Sequence, residues 1–237
     1  RLSRNPDFPN STIPFFPTKP GTNYLKMRLL KLISSALFSL LTFSSTIHAQ
    51  RAATPPERIR IADGFKIDLL YSVPAEVQGS WVAMCMDDKQ RLIVSDQYGG
   101  IYRFPIPQPG KKIDPKSIQQ ITYASERPGS GAPTEAQKKL PQIGHAQGLC
   151  YAFDSLYVVV SSRSSVTGAG VFRLLDTDGD DQFDKIVTIK KLSATGGEHG
   201  PHAIFPTPDG KHLYVVMGNQ TQLPEDYTHS RVPELWA

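Results

Sequence analysis

The stretch from Gly196 to Asn219 reads GGEHGPHAIFPTPDGKHLYVVMGN and carries two histidines, His199 and His202, on a Gly/Pro-rich turn. Imidazole takes or gives a proton near neutral pH. A histidine that removes a hydroxyl proton while a cofactor accepts the hydride is an arrangement suited to alcohol oxidation. Gly200-Pro201 interrupts any helix here, so a turn presents the two rings. The plainer alternative is that both histidines are polar loop residues that satisfy backbone groups. A second candidate is Asp176-Thr177-Asp178-Gly179-Asp180-Asp181-Gln182-Phe183-Asp184. Asp176, Asp178, Asp180 and Asp184 on a Gly-containing turn are candidate oxygen ligands for a hard cation such as Ca²⁺. The order is not that of an EF-hand, because Gly179 is at the fourth position and the closing Glu is absent. The same residues also suit an acidic hairpin turn, with Asp and Gly there for turn geometry.

These residues must be held by β structure. From Ile59 the pattern is one of short apolar runs separated by Asp-, Gly- and Ser-containing turns. Ile59 to Pro74 reads as two strands around Asp63-Gly64. Trp81 to Ile106 reads as three runs with turns at 87–90 and 99–100. Residues 105–142 read as an outer strand plus a long surface loop. Leu92-Ile93-Val94, Leu156-Tyr157-Val158 and Leu213-Tyr214-Val215 each follow an Asp-containing turn, with Leu92, Leu156 and Leu213 lying 64 and 57 residues apart. A hairpin that recurs at such a period suggests propeller blades with insertions. The fold class is therefore all-β, a partial β-propeller of about three blades over 59–237. By repeat position, Gly144-His145-Ala146-Gln147-Gly148 leads into its blade as Glu198-His199-Gly200-Pro201-His202 leads into the next. His145 then faces the same central pocket, or else is an ordinary loop residue. Asp96 ends a strand ahead of Gly99-Gly100 and reads as part of a turn. Trp81, Tyr157, Phe205 and Tyr214 read as core aromatics, and Cys85 and Cys150 as small buried core residues. A disulfide between the two cysteines is the alternative.

The net charge of +4 is misleading. Six of the 26 basic residues (Arg1, Arg4, Lys19, Lys26, Arg28, Lys31) but only one of the 22 acids (Asp7) fall in the first 50 residues, which leaves 20 against 21 beyond them. The basic balance belongs to the leader and gives no argument for nucleic-acid binding. Residues 27–49 have the parts of a secretory signal peptide: Arg28 and Lys31, an apolar middle from Leu32 to Phe43, and Ile47-His48-Ala49. The apolar run is shorter than the about 20 residues of a membrane span, which favours export to a periplasmic or extracellular space over a retained N-terminal anchor. Residues 1–26, with five prolines and no periodicity, read as an upstream or disordered lead. Residues 50–58 read as a linker, and the propeller is expected to be truncated at the C-terminus.

The run GEHGPHAIFPTPDGKHLYVVMGNQT resembles the corresponding stretch of the soluble pyrroloquinoline-quinone (PQQ) glucose/sorbosone dehydrogenase propellers. In that family a histidine precedes a strand, a Pro-Asp-Gly-type turn and an apolar strand that ends in a polar pair. His199 stands nine residues before Pro208, the family's spacing for its base. The likeness is closer to the large secreted "membrane-bound dehydrogenase" proteins of planctomycetes, in which such a propeller is followed by helical repeats and a c-type haem domain. The resemblance implies that His199 is the base and that His202 and Asn219 line the same site; Glu198, beside His199, and His145, by its repeat position, are the further candidates for that pocket. It further implies PQQ as cofactor, beside the Ca²⁺ for which the acidic turn is a candidate, and a c-type haem domain as partner in a part of the protein beyond this sequence. The sequence has no Cys-x-x-Cys-His, and so no covalent haem site of its own.

The expected function is oxidation of a carbohydrate-type alcohol or aldehyde by a quinoprotein propeller. The alternatives are a non-catalytic secreted propeller that binds glycans or a protein partner, and a metal-dependent propeller hydrolase, for which no clear carboxylate/Asn metal set is visible. There is no nucleotide-binding glycine loop, no serine nucleophile elbow and no zinc-protease helix.

Overall fold

The computed structural model describes residues 53–124, 131–162, 164–194 and 199–222. The lead at 1–26, the expected signal peptide at 27–49, Glu198 and residues 223–237 lie outside the described residues. The described residues form ten strands: β1 (Trp81–Met86), β2 (Arg91–Asp96), β3 (Ile101–Pro105), β4 (Gln119–Gln120), β5 (Ala146–Ala152), β6 (Ser155–Val160), β7 (Gly170–Leu175), β8 (Lys185–Lys191), β9 (Pro201–Pro206) and β10 (Leu213–Met217). They form three antiparallel sheets in chain order, β1-β2-β3-β4, β5-β6-β7-β8 and β9-β10. The all-β expectation therefore holds, and the described helices are only single turns at Ala75–Gln78 and Glu135–Lys138, with 3₁₀ turns at Pro56–Arg58 and Pro115–Ser117. None of the described helices is long and apolar enough to cross a membrane.

The second sheet is the middle layer. All six residues of β6, Ser-Leu-Tyr-Val-Val-Val, are buried. A strand covered on one face alternates apolar with polar, and one covered on both does not need to. On one face, Leu156, Val158 and Val160 join Ile93, Ile101, Leu149 and Phe172 in a cluster shared with the first sheet, against which Ala83 and Cys85 pack. On the other, Tyr157 and Val159 join Cys150, Val171 and Ile204 in a cluster shared with the third sheet, flanked by Leu213 and Val215. Each fully buried aliphatic side chain of this kind contributes about 1.5–3 kcal/mol. A third cluster (Val94, Tyr102, Phe104, Ile113) covers the far side of the first sheet, where Trp81 stacks on Tyr71 and Phe104 with ring centroids 5.5 and 5.4 Å apart.

Three expectations change. Residues 59–74 have no strands, although the Asp63-Gly64 turn is there, with Gly64 at φ 84°. This segment finds no ladder partner among the described residues. Its Leu70 carbonyl instead accepts from the Ile113 N–H, and Leu70 and Tyr71 pack on the third cluster. Phe205 and Tyr214 are not core residues: they stand about half exposed and touch each other, centroids 5.4 Å apart. Of the two cysteines, Cys150 is buried but Cys85 only partly so, and both thiols are free. Burial, with Cys150 nearby, pushes the Cys85 thiol up to about 12, so it stays protonated and unreactive at neutral pH.

The second and third sheets approach closely at Gly148. A Cβ there would lie 1.9 Å from the His202 carbonyl oxygen, which is backbone and cannot swing away. Gly148→Ala is expected to cost about 1–3 kcal/mol by overpacking. Gly131→Ala, where a Cβ meets nothing within 4 Å, should change stability by less than about 0.5 kcal/mol. Urea unfolding of the two variants measures the difference.

Candidate functional site

The strand directions sort the candidate residues onto two edges. Cys150 lies two residues beyond Gly148 and Ile204 two beyond His202, and both side chains join the same cluster. With Gly148 seated against His202, β5 and β9 run side by side in the same sense. The loops that lead into them, which hold His145 and His199, therefore share one edge. The ends of β2, β6 and β10 reach that edge too, as shown by the Ser95 hydroxyl donating to the Ala146 carbonyl at 2.8 Å. The turns β1–β2, β5–β6, β7–β8 and β9–β10 lie at the other edge. At about 3.3 Å per residue, the six residues of β7 put the two edges about 20 Å apart.

At the first edge His199 is exposed, and its main chain is held on both sides by one residue. Its N–H donates to the Gln220 side-chain oxygen at 3.3 Å, and its carbonyl accepts from the Gln220 N–H at 2.9 Å. Gly218 passes over the same carbonyl so closely that a Cβ would come to 2.2 Å. The Gly218 N–H donates to the Gly200 carbonyl at 2.9 Å. The turn after β10 thus clamps the backbone of His199 while the ring faces solvent. Asn219 sits in that turn, exposed, and His202 is half-buried on β9. His145 is half-buried with φ at 53°, its ring edge-on to Tyr98 at 5.7 Å, and its carbonyl accepts from the Ser161 N–H at 3.2 Å. Asp96 has a structural part. It is buried, accepts from the Ser80 N–H at 3.2 Å, and fills the space where Gly79 and Gly99 lack a Cβ. Asp96 ends β2, and its carboxylate also accepts from the Tyr98 N–H at 3.4 Å in the bend that follows, where neither Gly99 nor Gly100 has positive φ.

The acidic loop lies at the second edge and divides its labour. Asp176, Asp178 and Asp184 bring carboxylate oxygens within 4.8 Å of one another and could hold a metal ion. Asp180 turns instead to the Gln182 N–H at 2.8 Å and is not one of that group. The loop also folds on its own bonds. Asp176 accepts from the Gly179 and Asp181 N–H groups at 2.7 and 2.8 Å, and Asp184 accepts from the Thr177 hydroxyl at 2.7 Å. A Ca²⁺ ion wants six to eight oxygens. These three carboxylates supply part of that set and leave the remainder to main chain or water.

Reading the sequence alone missed the strongest electrostatic feature, which is centred on Asp181. Its carboxylate takes a two-pronged contact from Arg91, Nη1 at 2.5 Å and Nη2 at 2.8 Å. Lys89 adds Nζ at 2.9 Å and Arg103 adds Nη1 at 3.3 Å. The Asp181 carbonyl accepts from Arg103 Nη2 at 2.7 Å, and Arg91 Nε donates to the buried Asp87 at 2.7 Å. Gln119 bonds both Arg103 and Gln182, at 2.9 Å each. The second sheet's loop is in this way bolted to the first sheet. A cavity of about 290 Å³ adjoins the bolt, bounded by Arg91, Arg103, Tyr151, Asp176 and Phe183. Burial and the neighbouring Asp88 push the Tyr151 hydroxyl up to about 12. One cue was available in the sequence: Asp181 is an extra carboxylate beyond the alternating Asp176, Asp178, Asp180 series. Its partners, 78 and 90 residues away, carried no mark.

Comparison with known proteins adds no assignment, since no protein-family model matches the chain and no curated protein matches it.

The quinone implied by the resemblance carries several carboxylates, and so needs cations. Among the described residues, Lys190 and Lys191 stand near the first edge on the outer strand β8, Lys190 exposed and Lys191 committed to the Thr167 carbonyl and the face of Phe172 at 5.0 Å. His145, His199, Asn219 and Gln220 provide hydrogen bonds and a proton acceptor. The described residues therefore do not complete a site for that cofactor.

Asp181 generates a pH prediction. The Arg91 hydrogen bonds, with Lys89 and Arg103, hold its carboxyl well below the usual carboxylate range against a smaller opposing effect of burial. A depressed acid stabilises the fold fully above its unfolded value, about 3.9, and this contribution is lost as pH falls toward the folded value. The wild-type unfolding free energy should therefore decline as pH drops below about 4, and Asp181→Asn should lose part of that decline. At pH 7 the substitution is expected to cost about 1–3 kcal/mol, a range held down because the Asp181 side chain is 36% exposed and screened by water. Urea titrations from pH 3 to 7 check both.

Proposed function

We propose that the chain is part of an exported β-propeller whose mouth, at the edge carrying His145 and His199, handles a carbohydrate-type alcohol or aldehyde. Three antiparallel sheets in chain order, stacked face to face, support the propeller reading. The observation that carries the site is the clamp on His199: both of its backbone polar groups are tied to Gln220, while the residue is exposed at the edge. A fixed backbone beneath an exposed imidazole suits a group that accepts the proton of a bound hydroxyl, because positional freedom is removed before the ligand arrives. Asn219 and His202 would direct the remaining hydroxyls. The dehydrogenase reading, with PQQ as oxidant and a c-type haem domain as electron acceptor, rests on a resemblance that covers roughly residues 59–237 and is most specific at the Glu198–His202 turn. Its cofactor contacts would come from outside the described residues. Asp176, Asp178 and Asp184 are the residues that would hold Ca²⁺, about 20 Å from His199, so that ion would serve the fold and not the reaction.

The second reading is a propeller that binds glycans without transforming them. It is favoured by the exposed polar side chains His199 and Asn219 at this edge.

The protein at its full natural length, incubated with PQQ and Ca²⁺, should oxidise one or more members of a sugar panel in a dye-reduction assay. His199→Ala should lower that rate by about 100-fold or more and leave sugar binding by calorimetry within a few-fold. Sugar binding with no dye reduction would replace the enzyme with the binding module. Failure to bind either sugar or quinone would overturn both readings.

A further inference from the structure

The segment that follows β10 is tied to two places. At its far end, the Gln222 N–H donates to the Ser193 carbonyl and the Ser193 hydroxyl donates to the Gln222 side-chain oxygen, each at 2.7 Å. Thr221 beside it forms an antiparallel bridge with Ala194. At its near end, the Gly218 N–H donates to the Gly200 carbonyl, and Gln220 holds His199. Ser193 and Ala194 follow β8, while His199 and Gly200 precede β9. One short segment therefore fixes both ends of the connection between the second and third sheets.

The contact with His199 is of an unusual kind. Two residues in a hydrogen-bonded antiparallel pair exchange both N–H···O bonds through their main chains. Here only one of the two is a main-chain bond, from the Gln220 N–H to the His199 carbonyl at 2.9 Å. The other runs from the His199 N–H to the Gln220 side-chain oxygen at 3.3 Å. The main chain cannot supply both, because it is turning: the Thr221 N–H donates to the Gly218 carbonyl at 3.0 Å, which places Gln220 third in a four-residue turn. The amide side chain stands in for a main-chain carbonyl. The imidazole leaves the backbone at the Cα between these two anchored groups, so both bonds set its starting direction. Without the side-chain bond only the carbonyl side of His199 stays fixed.

We infer that Gln220 is a positioning residue for His199, acting through the backbone of the base and not on the ligand, and that Gln222, two residues on, serves the fold alone. The inference rests on the reading of His199 as the proton acceptor. Gln220 is half-buried, and its side-chain oxygen is already engaged by the His199 N–H. The side chain of Gln222 reaches Ser193 instead. The two glutamines thus lie on the same segment with separate duties, which separates positioning of the base from general support of the connection.

The test compares Gln220→Met, Gln220→Glu and Gln222→Met with the wild type, in the protein at its full natural length and by the dye-reduction assay on the sugar panel. Native circular dichroism is required of each, and Gln220→Ala replaces Gln220→Met if that variant misfolds. Gln220→Met keeps the length of the side chain and loses the acceptor. Its kcat should fall about 10–100-fold with KM changed by less than about threefold, because a small misplacement of a reacting group costs rate. Gln220→Glu keeps an acceptor oxygen at the same reach and should recover most of the loss, with each kcat read at its own pH maximum. Gln222→Met should leave kcat unchanged. Amide hydrogen exchange at His199, followed by NMR, reads the clamp without turnover: it should quicken in Gln220→Met and not in Gln222→Met. Wild-type kcat or unchanged His199 exchange in Gln220→Met would overturn the inference and leave the reading of His199 standing. A rise in KM at constant kcat would also overturn it, by making Gln220 a ligand contact, as would equal losses in Gln220→Met and Gln222→Met. Absence of turnover by the wild type would overturn the reading of His199 and this role with it.

Discussion

The described structure depends on the second sheet being dry on both sides. With β6 buried along its whole length, the sheets before and after it have no freedom to be placed elsewhere, since water on either face would expose a row of Val and Leu side chains. Everything of chemical interest is positioned by that stacking. Gly148 can touch the His202 carbonyl only because β5 and β9 are pressed together. The Arg91–Asp181 contact closes only because the first and second sheets meet at a fixed distance.

The strands were legible in the sequence wherever an apolar run alternated with polar turns and had a partner close in the chain. β1 through β3 and β5 through β8 follow the hairpin rule, each bounded by an Asp- or Gly-bearing turn. Residues 59–74 have the same local signature and form no ladder, because a strand is defined by its neighbour and not by its own sequence. The exposure of Phe205 and Tyr214 was hidden for a related reason. An aromatic residue on a strand reads as core, and nothing local says whether a further layer covers it.

At the site, composition revealed which residues had chemical potential but not which would be spent on architecture. His199 and the Asp176 loop stood out by residue type. Asp181 did not, because its significance comes from Arg91 and Arg103, far away in the chain and ordinary in their local setting. The acidic loop shows the general difficulty. Its carboxylates look interchangeable in the sequence, yet one set faces its own turn, Asp180 caps a neighbouring N–H, and Asp181 reaches across to another sheet.

The separation of the two edges has an evolutionary consequence. Loops at the His199 edge can lengthen, shorten or change polarity without disturbing the ionic bolt, whose parts lie at the opposite ends of the same strands. Substitutions that alter ligand preference and substitutions that alter robustness would therefore accumulate on separate loops. A lineage could explore new ligands at one edge while the other preserved the scaffold.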